Sequence, residues 1–331
     1  MTAPLKVAVL GCGAIGGWLA GALAAGGAEV SVIARGQTLE KLQAHGLTLH
    51  RGGATEQYAL PAAERLDGLA TPDVLIIALK AHTIQAALPA IAGQIPPGTV
   101  IATATNGIPW WFFDGPAAPL PGFRPASVDA EDVAAAMITS RGPAPVLGTV
   151  VHAAARQSAP AEIHVAKVDR LILGSGLSAH GTDLAMPISR LAFALEAGGV
   201  PVALTEDIRA EIWSKLWGNF SMNPLSVLSG ATTGRMLDDP DLRALALAMM
   251  GEFDAIGAAM GVNLPVSPAE RIAETRRLGD FKTSMLQDYE AGRSLEIGPI
   301  IGVVAEMAER LGIAAPATRG VLGLLRLRSG N

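Results

Sequence analysis

The sequence predicts an α/β domain built on a parallel sheet, followed by an all-α domain, and three observations carry that prediction. The chain has 331 residues, about twice what one compact domain needs. Its first half alternates short apolar runs with helical stretches, the pattern of parallel strands joined by crossover helices. From Thr205 onward the strand-like alternation disappears and the apolar spacing becomes helical. The domains are therefore expected at 1–204 and 205–331.

Composition narrows the function classes. Half of the residues are hydrophobic and 17% are charged, which excludes a disordered chain. A net charge of −5 and a pI near 5.7 provide no basic face for nucleic acid. Cys12 is the single cysteine, so no internal disulfide can form, and a reducing, cytoplasmic location is expected. Residues 7–28 carry no charge and are long enough to cross a bilayer or to imitate a signal peptide. Seven of those 22 residues are glycine, however, and the stretch splits into an apolar run and a glycine-punctuated helix. No membrane segment is expected.

The elements follow in order. Lys6–Leu10 reads as a short buried strand. Gly11-Cys12-Gly13-Ala14-Ile15-Gly16 comes next, then a small-residue helix to about Ala25, and a second strand over Glu29–Ala34. Strand, GxGxxG, helix and strand within about 30 residues form the dinucleotide-binding, Rossmann-type arrangement. Gly11 makes the tight turn, Gly13 admits a pyrophosphate to the backbone, and Gly16 lets the helix pack against the strand. The free N–H groups of the helix start then face phosphate. NAD sites usually end the second strand in an acid that binds the ribose 2′-hydroxyl. Here the strand ends Ile33-Ala34-Arg35-Gly36, and an arginine suits a 2′-phosphate instead. NADPH is the expected cofactor; the plainer reading of Arg35 is a solvated loop charge.

Val74–Leu79 is a continuous apolar run ending in Lys80, and Val100–Ala104 is another ending in Thr105-Asn106-Gly107. Ligands of such sheets sit beyond the carboxyl ends of the strands, where Gly11, Arg35, Lys80 and Asn106 all fall. Further strands are expected at Gly148–Ala154, Glu162–Val165 and Arg170–Leu173, with a helix over Leu184–Ala197 stopped by Gly198-Gly199. Residues 109–146 differ. They hold Trp110, Trp111, Phe112 and Phe113, four of the chain's 14 aromatics, among many prolines. They read either as a wall beside Asn106 that bounds a substrate's acyl end, or as an excursion anchored by its rings.

The second half reads as helices at roughly 206–228, 239–261, 267–290, 299–311 and 317–327. Lys215, Asn219 and Asn223 are spaced i, i+4, i+8 and share one helix face. Trp213 and Trp217 form a neighbouring stripe better suited to packing. Lysine is scarce, six against 19 arginines, which singles out Lys215, although an ordinary exposed lysine has the same signature. Ser284 reads as a helix-surface hydroxyl, and Glu296 as an acid suited to the start of the Pro299 helix. The histidines (45, 50, 82, 152, 164 and 180) show no close ligand pair, so no metal is expected. His82, two residues after Lys80, reads as a surface residue.

GCGAIGG at 11–17, Arg35, LK at 79–80, Asn106-Gly107, KLWGNFSMNPL at 215–225, TSMLQD at 283–288 and Glu296 within LEIGPIIG occur in one order along nearly the whole chain. In that order they resemble the ketopantoate reductase family (2-dehydropantoate 2-reductases). The resemblance implies a Rossmann-type domain followed by a 6-phosphogluconate dehydrogenase C-terminal-like helical domain. It implies NADPH-dependent reduction of a 2-oxo acid, 2-dehydropantoate to (R)-pantoate in pantothenate biosynthesis. Lys215 matches the family's catalytic lysine and Glu296 its essential acid. Asn106, Asn219, Asn223 and Ser284 match positions that hold the substrate or the nicotinamide end, and Lys80 a lysine near the cofactor. The long 109–146 segment departs from the family's short connection and leaves the substrate open. The alternatives are a related NADP-dependent 2- or 3-hydroxyacid dehydrogenase, or an NADPH-binding regulator without turnover. The expected partners are a small 2-oxo acid and a second copy of the chain in a homodimer.

Overall fold

The computed structural model describes residues 3–130, 134, 145–177 and 184–330. The far end of the proline-rich stretch, with Pro143, and His180 lie outside the described residues. The chain divides into two compact units, Met1–Thr105 with Asp132–Glu211, and Asn106–Glu131 with Ile212–Asn331. This differs from the expected boundary near 204. Residues 106–131 group with the helical unit, and the first unit extends to Glu211.

In chain order the first unit contains β1 (Lys6–Leu10), α1 (Ala14–Ala25), β2 (Glu29–Ile33), α2 (Gly36–His45), β3 (Leu47–Arg51), β4 (Ala54–Tyr58), β5 (Ala62–Ala63), β6 (Val74–Ile77), α3 (Ala81–Ile91), β7 (Val100–Thr103), β8 (Val146–Ala159), β9 (Glu162–Leu177), α4 (Ala185–Ala197) and β10 (Val202–Thr205). The strands form one sheet in the order β4-β3-β9-β8-β7-β6-β1-β2-β5, with β10 beside β9. Strands β8, β7, β6, β1, β2 and β5 pair in parallel. β6 and β7 are buried throughout, which is why they read as unbroken apolar runs.

The apolar, glycine-rich start becomes intelligible here. Trp18, Leu19 and Leu23 of α1 belong to the core of this unit. A Cβ on Gly17 would stand 2.7 Å from Ile163 of β9, and one on Gly21 would stand 3.1 Å from Leu49 of β3. The glycines therefore bring α1 close against the sheet. Among the described residues, no helix is long and apolar enough to cross a membrane.

The structure departs from several expectations in this unit. The three strands expected between 148 and 173 are two long antiparallel strands, β8 and β9, whose register shifts at four places. Charged residues such as Arg156, Lys167 and Asp169 sit on their solvated faces and make the run look interrupted. β3 and β4 form an additional hairpin across Gly52-Gly53, both with positive φ. That glycine pair between alternating runs is a hairpin signal. β5 has two residues, too few to stand out, and β10 lacks a fully buried residue and so shows no clear apolar run.

The second unit holds α5 (Ile208–Ser229, whose first residues belong to the first unit), α6 (Thr233–Asp238), α7 (Pro240–Ala259), α8 (Pro268–Arg277), α9 (Ser284–Glu290), α10 (Val303–Leu311) and α11 (Pro316–Ser329). One expected helix is broken, and one short helix, α6, falls between two expected ones. Asp239 caps α7 through the N–H groups of Asp241 and Leu242, which cuts off the short α6. The expected 267–290 helix splits into α8 and α9: Ser267 opens α8 with a reciprocal capping box, and Thr283 caps α9. Trp213 stacks on Phe253 with ring centroids 3.9 Å apart, and Trp217 Nε1 donates to the Met250 carbonyl, so both tryptophans are packing residues. Glu252 holds the start of α11 by accepting from the N–H groups of Ala317 and Thr318, each at 2.8 Å, and from the Thr318 hydroxyl.

The aromatic segment is an anchor. Trp111, Phe112 and Phe113 are 0–1% exposed and Trp110 is 6% exposed. Phe113 lies edge-on to both Phe112 and Phe123. Of the two readings, this burial favours the anchored excursion over a wall that bounds a substrate.

Candidate active site

Gly11 has φ +96, and a Cβ there would stand 2.6 Å from Leu79. A Cβ on Gly16 would stand 1.9 Å from the Gly11 carbonyl oxygen, so the helix can start this close to the strand only with glycine at both places. Gly13 is different. Nothing lies within 4 Å of where its Cβ would be, so its backbone faces open space. Gly13 is the N-cap of α1, no side chain caps that end, and no acid occupies its first turn. The N–H groups of Ala14, Ile15 and Gly16 have no partner inside the helix. The turn thus presents open space, free donors and a positive helix end together, which suits a pyrophosphate. The Cys12 side chain points away from this role. It is buried, burial pushes its thiol up to about 12, and its carbonyl accepts from Gln157 Nε2.

Arg35 is the N-cap of α2 at the carboxyl end of β2. It is exposed and pairs with no acid among the described residues. Lys80 caps α3 just past β6 and is half-buried. Burial and the neighbouring Lys80 charge both lower the pKa of His82. These groups all belong to the first unit, beyond the carboxyl ends of its strands. A cavity of about 470 Å³ opens at the other end, where Lys6 and Glu29 begin β1 and β2.

Asn106 belongs to the second unit, and there it joins two residues from distant parts of the chain. Lys215 Nζ donates to Asn106 Oδ1 at 2.9 Å, and Asn106 Nδ2 donates to Glu296 Oε2 at 3.2 Å. The amide orientation is thereby fixed by its two charged neighbours. Lys215 projects from α5. Burial lowers its pKa to about 8, against the opposing attraction of Glu296. The ammonium is therefore still the major form near neutrality, yet poised to give up its proton.

Local structure holds this trio. Glu296 stands just before a π-helical turn, Gly298–Gly302, that leads into α10. Such turns carry an extra residue and disturb the helical hydrogen-bond ladder. The Pro299 carbonyl accepts from the Ile108 N–H at 2.9 Å, two residues after Asn106. Gly107 has φ +76 and leaves no room for a Cβ beside that carbonyl. A second clasp lies further along, where the Ser127 N–H donates to Glu306 of α10 at 2.9 Å. The 106–131 excursion is thus tied to the π-turn and to α10, and the first of these contacts positions Asn106 against Glu296. Nothing in the sequence pattern assigns this role to the π-turn; its one signal is the glycine pair in GPIIG.

Asn219 and Asn223 lie one and two turns beyond Lys215. Their side-chain amides make no hydrogen bond among the described residues. They remain available to a ligand on the lysine's helix face. Ser284 is exposed at the first position of α9, and nothing in the structure links it to the trio. Its neighbour Thr283 is buried and bonds Ser226 of α5 at 2.5 Å.

The profile of the family described as Ketopantoate reductase PanE/ApbA matches residues 7–177, and its C-terminal profile matches residues 207–329. The chain belongs to the ketopantoate reductase family. A 2-dehydropantoate 2-reductase of Mesorhizobium japonicum is 38% identical over 323 residues, covering 97% of each chain. A candidate ketopantoate reductase from Ralstonia solanacearum MolK2 superposes with a TM-score of 0.91 at 40% identity, covering 99% of this chain and 98% of that one. A D-mandelate dehydrogenase solved with NADH and anilino(oxo)acetate shares the fold, with a TM-score of 0.80 at 20% identity over 98% and 99% of the two chains. Membership in the ketopantoate reductase family makes this protein an oxidoreductase of the NAD(P)-dependent dehydrogenase fold acting on a small molecule.

Proposed function

We propose that the protein is a cytoplasmic, NADPH-dependent reductase of 2-dehydropantoate. The observation that carries this reading is the Lys215–Asn106–Glu296 trio. It joins an ammonium poised near neutrality to an amide and a carboxylate through two hydrogen bonds. A protein that only sensed the cofactor would not need such a set. The open, uncapped turn at Gly13 supports a dinucleotide cofactor, and the unpaired Arg35 supports NADPH over NADH, since a guanidinium matches a 2′-phosphate and no acid stands there for a 2′-hydroxyl. When bound, NADPH supplies the hydride.

The chain's own residues handle charge and orientation. As the substrate carbonyl is reduced, negative charge grows on its oxygen. Lys215 Nζ donates a hydrogen bond to that oxygen and then transfers its proton. Asn106 aims the ammonium by accepting one of its hydrogens, leaving two for substrate. Glu296 accepts from the substrate's 4-hydroxyl, and its charge keeps Lys215 protonated. The unused amides of Asn219 and Asn223 offer uncharged donors and acceptors to the same ligand. Ser284 is assigned to substrate and Lys80 to the cofactor by their match to the family motifs.

The test is NADPH oxidation with ketopantoate against a panel of bulkier 2-oxo acids, in wild type and Lys215→Ala. Losing one stabilising donor costs about 10²–10³ in kcat. Ketopantoate is expected to be the best substrate, with that loss in the variant and cofactor binding retained. Near-wild-type turnover by Lys215→Ala overturns the assigned chemistry, and a strong preference for another oxo acid overturns the assigned substrate.

A further inference from the structure

We propose that His50, Glu162 and His164 form a binding site for a divalent transition-metal ion of the Zn²⁺ type, on the solvent-facing side of the first unit's sheet. The sequence shows no ligand pair because the two histidines lie far apart in the chain. Strand pairing unites them: β3 and β9 run in parallel with His50 opposite His164, and Glu162 lies two residues before His164 on the same face. The intervening Leu49 and Ile163 are fully buried, so alternation turns the three polar residues outward.

The distances suit an ion seated among the three groups, although His164 Nε2 and Glu162 Oε1 are also within reach of a long hydrogen bond. Glu162 Oε1 lies 3.5 Å from His50 Nε2 and 3.4 Å from His164 Nε2. Good N–H···O bonds are shorter, about 2.9–3.0 Å. A tetrahedral ion with bonds of about 2.0–2.1 Å separates its ligand atoms by roughly 3.3–3.4 Å. The three ligand atoms all lie within 4.8 Å of one another. The imidazole rings stack with centroids 4.2 Å apart and planes 20° from parallel. Convergence of both Nε2 atoms on one ion needs rotation about χ2, a soft torsion in histidine.

Groups outside the triangle hold the ligands as metal sites require. His50 Nδ1 lies 3.0 Å from the Thr55 hydroxyl of β4. When Nδ1–H donates to Thr55, Nε2 carries a lone pair and faces a carboxylate oxygen, an arrangement that a cation between them satisfies. The Ser158 hydroxyl donates to Glu162 Oε1 at 2.9 Å and orients the carboxylate. The side chains are 30%, 38% and 34% exposed, so an ion can enter from solvent and keep water as a further ligand. Two imidazoles and a carboxylate suit Zn²⁺. The bound ion would bridge β3 to β9 and so fasten the β3–β4 hairpin to the rest of the sheet.

The test is calorimetric titration of ZnCl₂ into tag-free, chelator-treated full-length protein, with the Co²⁺ absorption spectrum as a second readout. One ion per chain is expected, with a tetrahedral Co²⁺ spectrum and a Tm raised by Zn²⁺. Thr55→Val is expected to weaken binding about tenfold, the low end for an outer partner, and His50→Ala, His164→Ala or Glu162→Gln by more than that. Ketopantoate reduction stays unchanged in all four. Failure of the wild type to bind Zn²⁺, or binding that persists undiminished in a folded His50→Ala/His164→Ala variant, overturns the proposal.

Discussion

Asn106 is the hinge of the proposed chemistry, and its replacement makes a prediction with a sign. Its Oδ1 accepts from the Lys215 ammonium at 2.9 Å, a bond made to the charged form of the lysine. Such charge-assisted bonds contribute about 1.5–3 kcal/mol. In Asn106→Ala a water can enter and recover roughly half, leaving a loss of about 1–1.5 kcal/mol. One pKa unit corresponds to about 1.4 kcal/mol, so the lysine should titrate about one unit lower. Burial already brings the wild-type lysine to about 8. In the proposed chemistry reduction needs the protonated lysine, so activity is expected to fall as pH rises through that value, and the alkaline limb of kcat/KM should move to about pH 7 in the variant.

Asn106→Asp should move the limb the other way. It sets a carboxylate where the amide oxygen was, and an adjacent negative charge favours the ammonium. The assay is the pH profile of kcat/KM for ketopantoate between about pH 5 and pH 10, in wild type and both variants. Opposite displacements of one limb cannot come from general loss of structure. If both folded variants lose rate while the limb stays in place, Asn106 does not set the lysine's protonation and the trio has been misread.

Two further predictions rest on separate parts of the structure. Arg35→Ala removes an unpaired guanidinium from the end of β2; KM for NADPH should rise roughly 10–100-fold, the equivalent of about 1.5–3 kcal/mol, while NADH use stays nearly unchanged. Equal use of both cofactors by wild type would refute the 2′-phosphate reading. Trp111→Ala empties a fully buried site; it should cost about 3–5 kcal/mol and lower Tm by several degrees, with kcat/KM for all 2-oxo acids falling alike. A stable variant with a changed substrate ranking would restore the pocket-wall role.

What can be read from the sequence follows from how far each interaction reaches along the chain. The Gly11–Gly16 turn is a local device whose requirements are all backbone requirements, so spacing alone exposes it. Lys215, Asn219 and Asn223 share one helix, and helical periodicity by itself puts them on one face. Asn106 and Glu296 are different. Asn106 stands out only by its place at a strand end and Glu296 only by the family motifs, and nothing local pairs them, because the 3.2 Å bond between them joins residues 190 positions apart. The device that brings them together is less legible still. It depends on a π-turn that offers the Pro299 carbonyl to Ile108, and on glycine at 107 to let the backbone pass. The aromatic run shows the opposite error. Four large rings beside a candidate site read equally well as a wall or an anchor, because hydrophobicity reports that a residue is buried and not what it is buried against. Their near-complete burial favours the anchor, and the ring contacts among Phe112, Phe113 and Phe123 lie within the excursion itself. The histidine cluster repeats the lesson: its members come together only through a parallel pairing of β3 with β9, two strands more than a hundred residues apart in sequence.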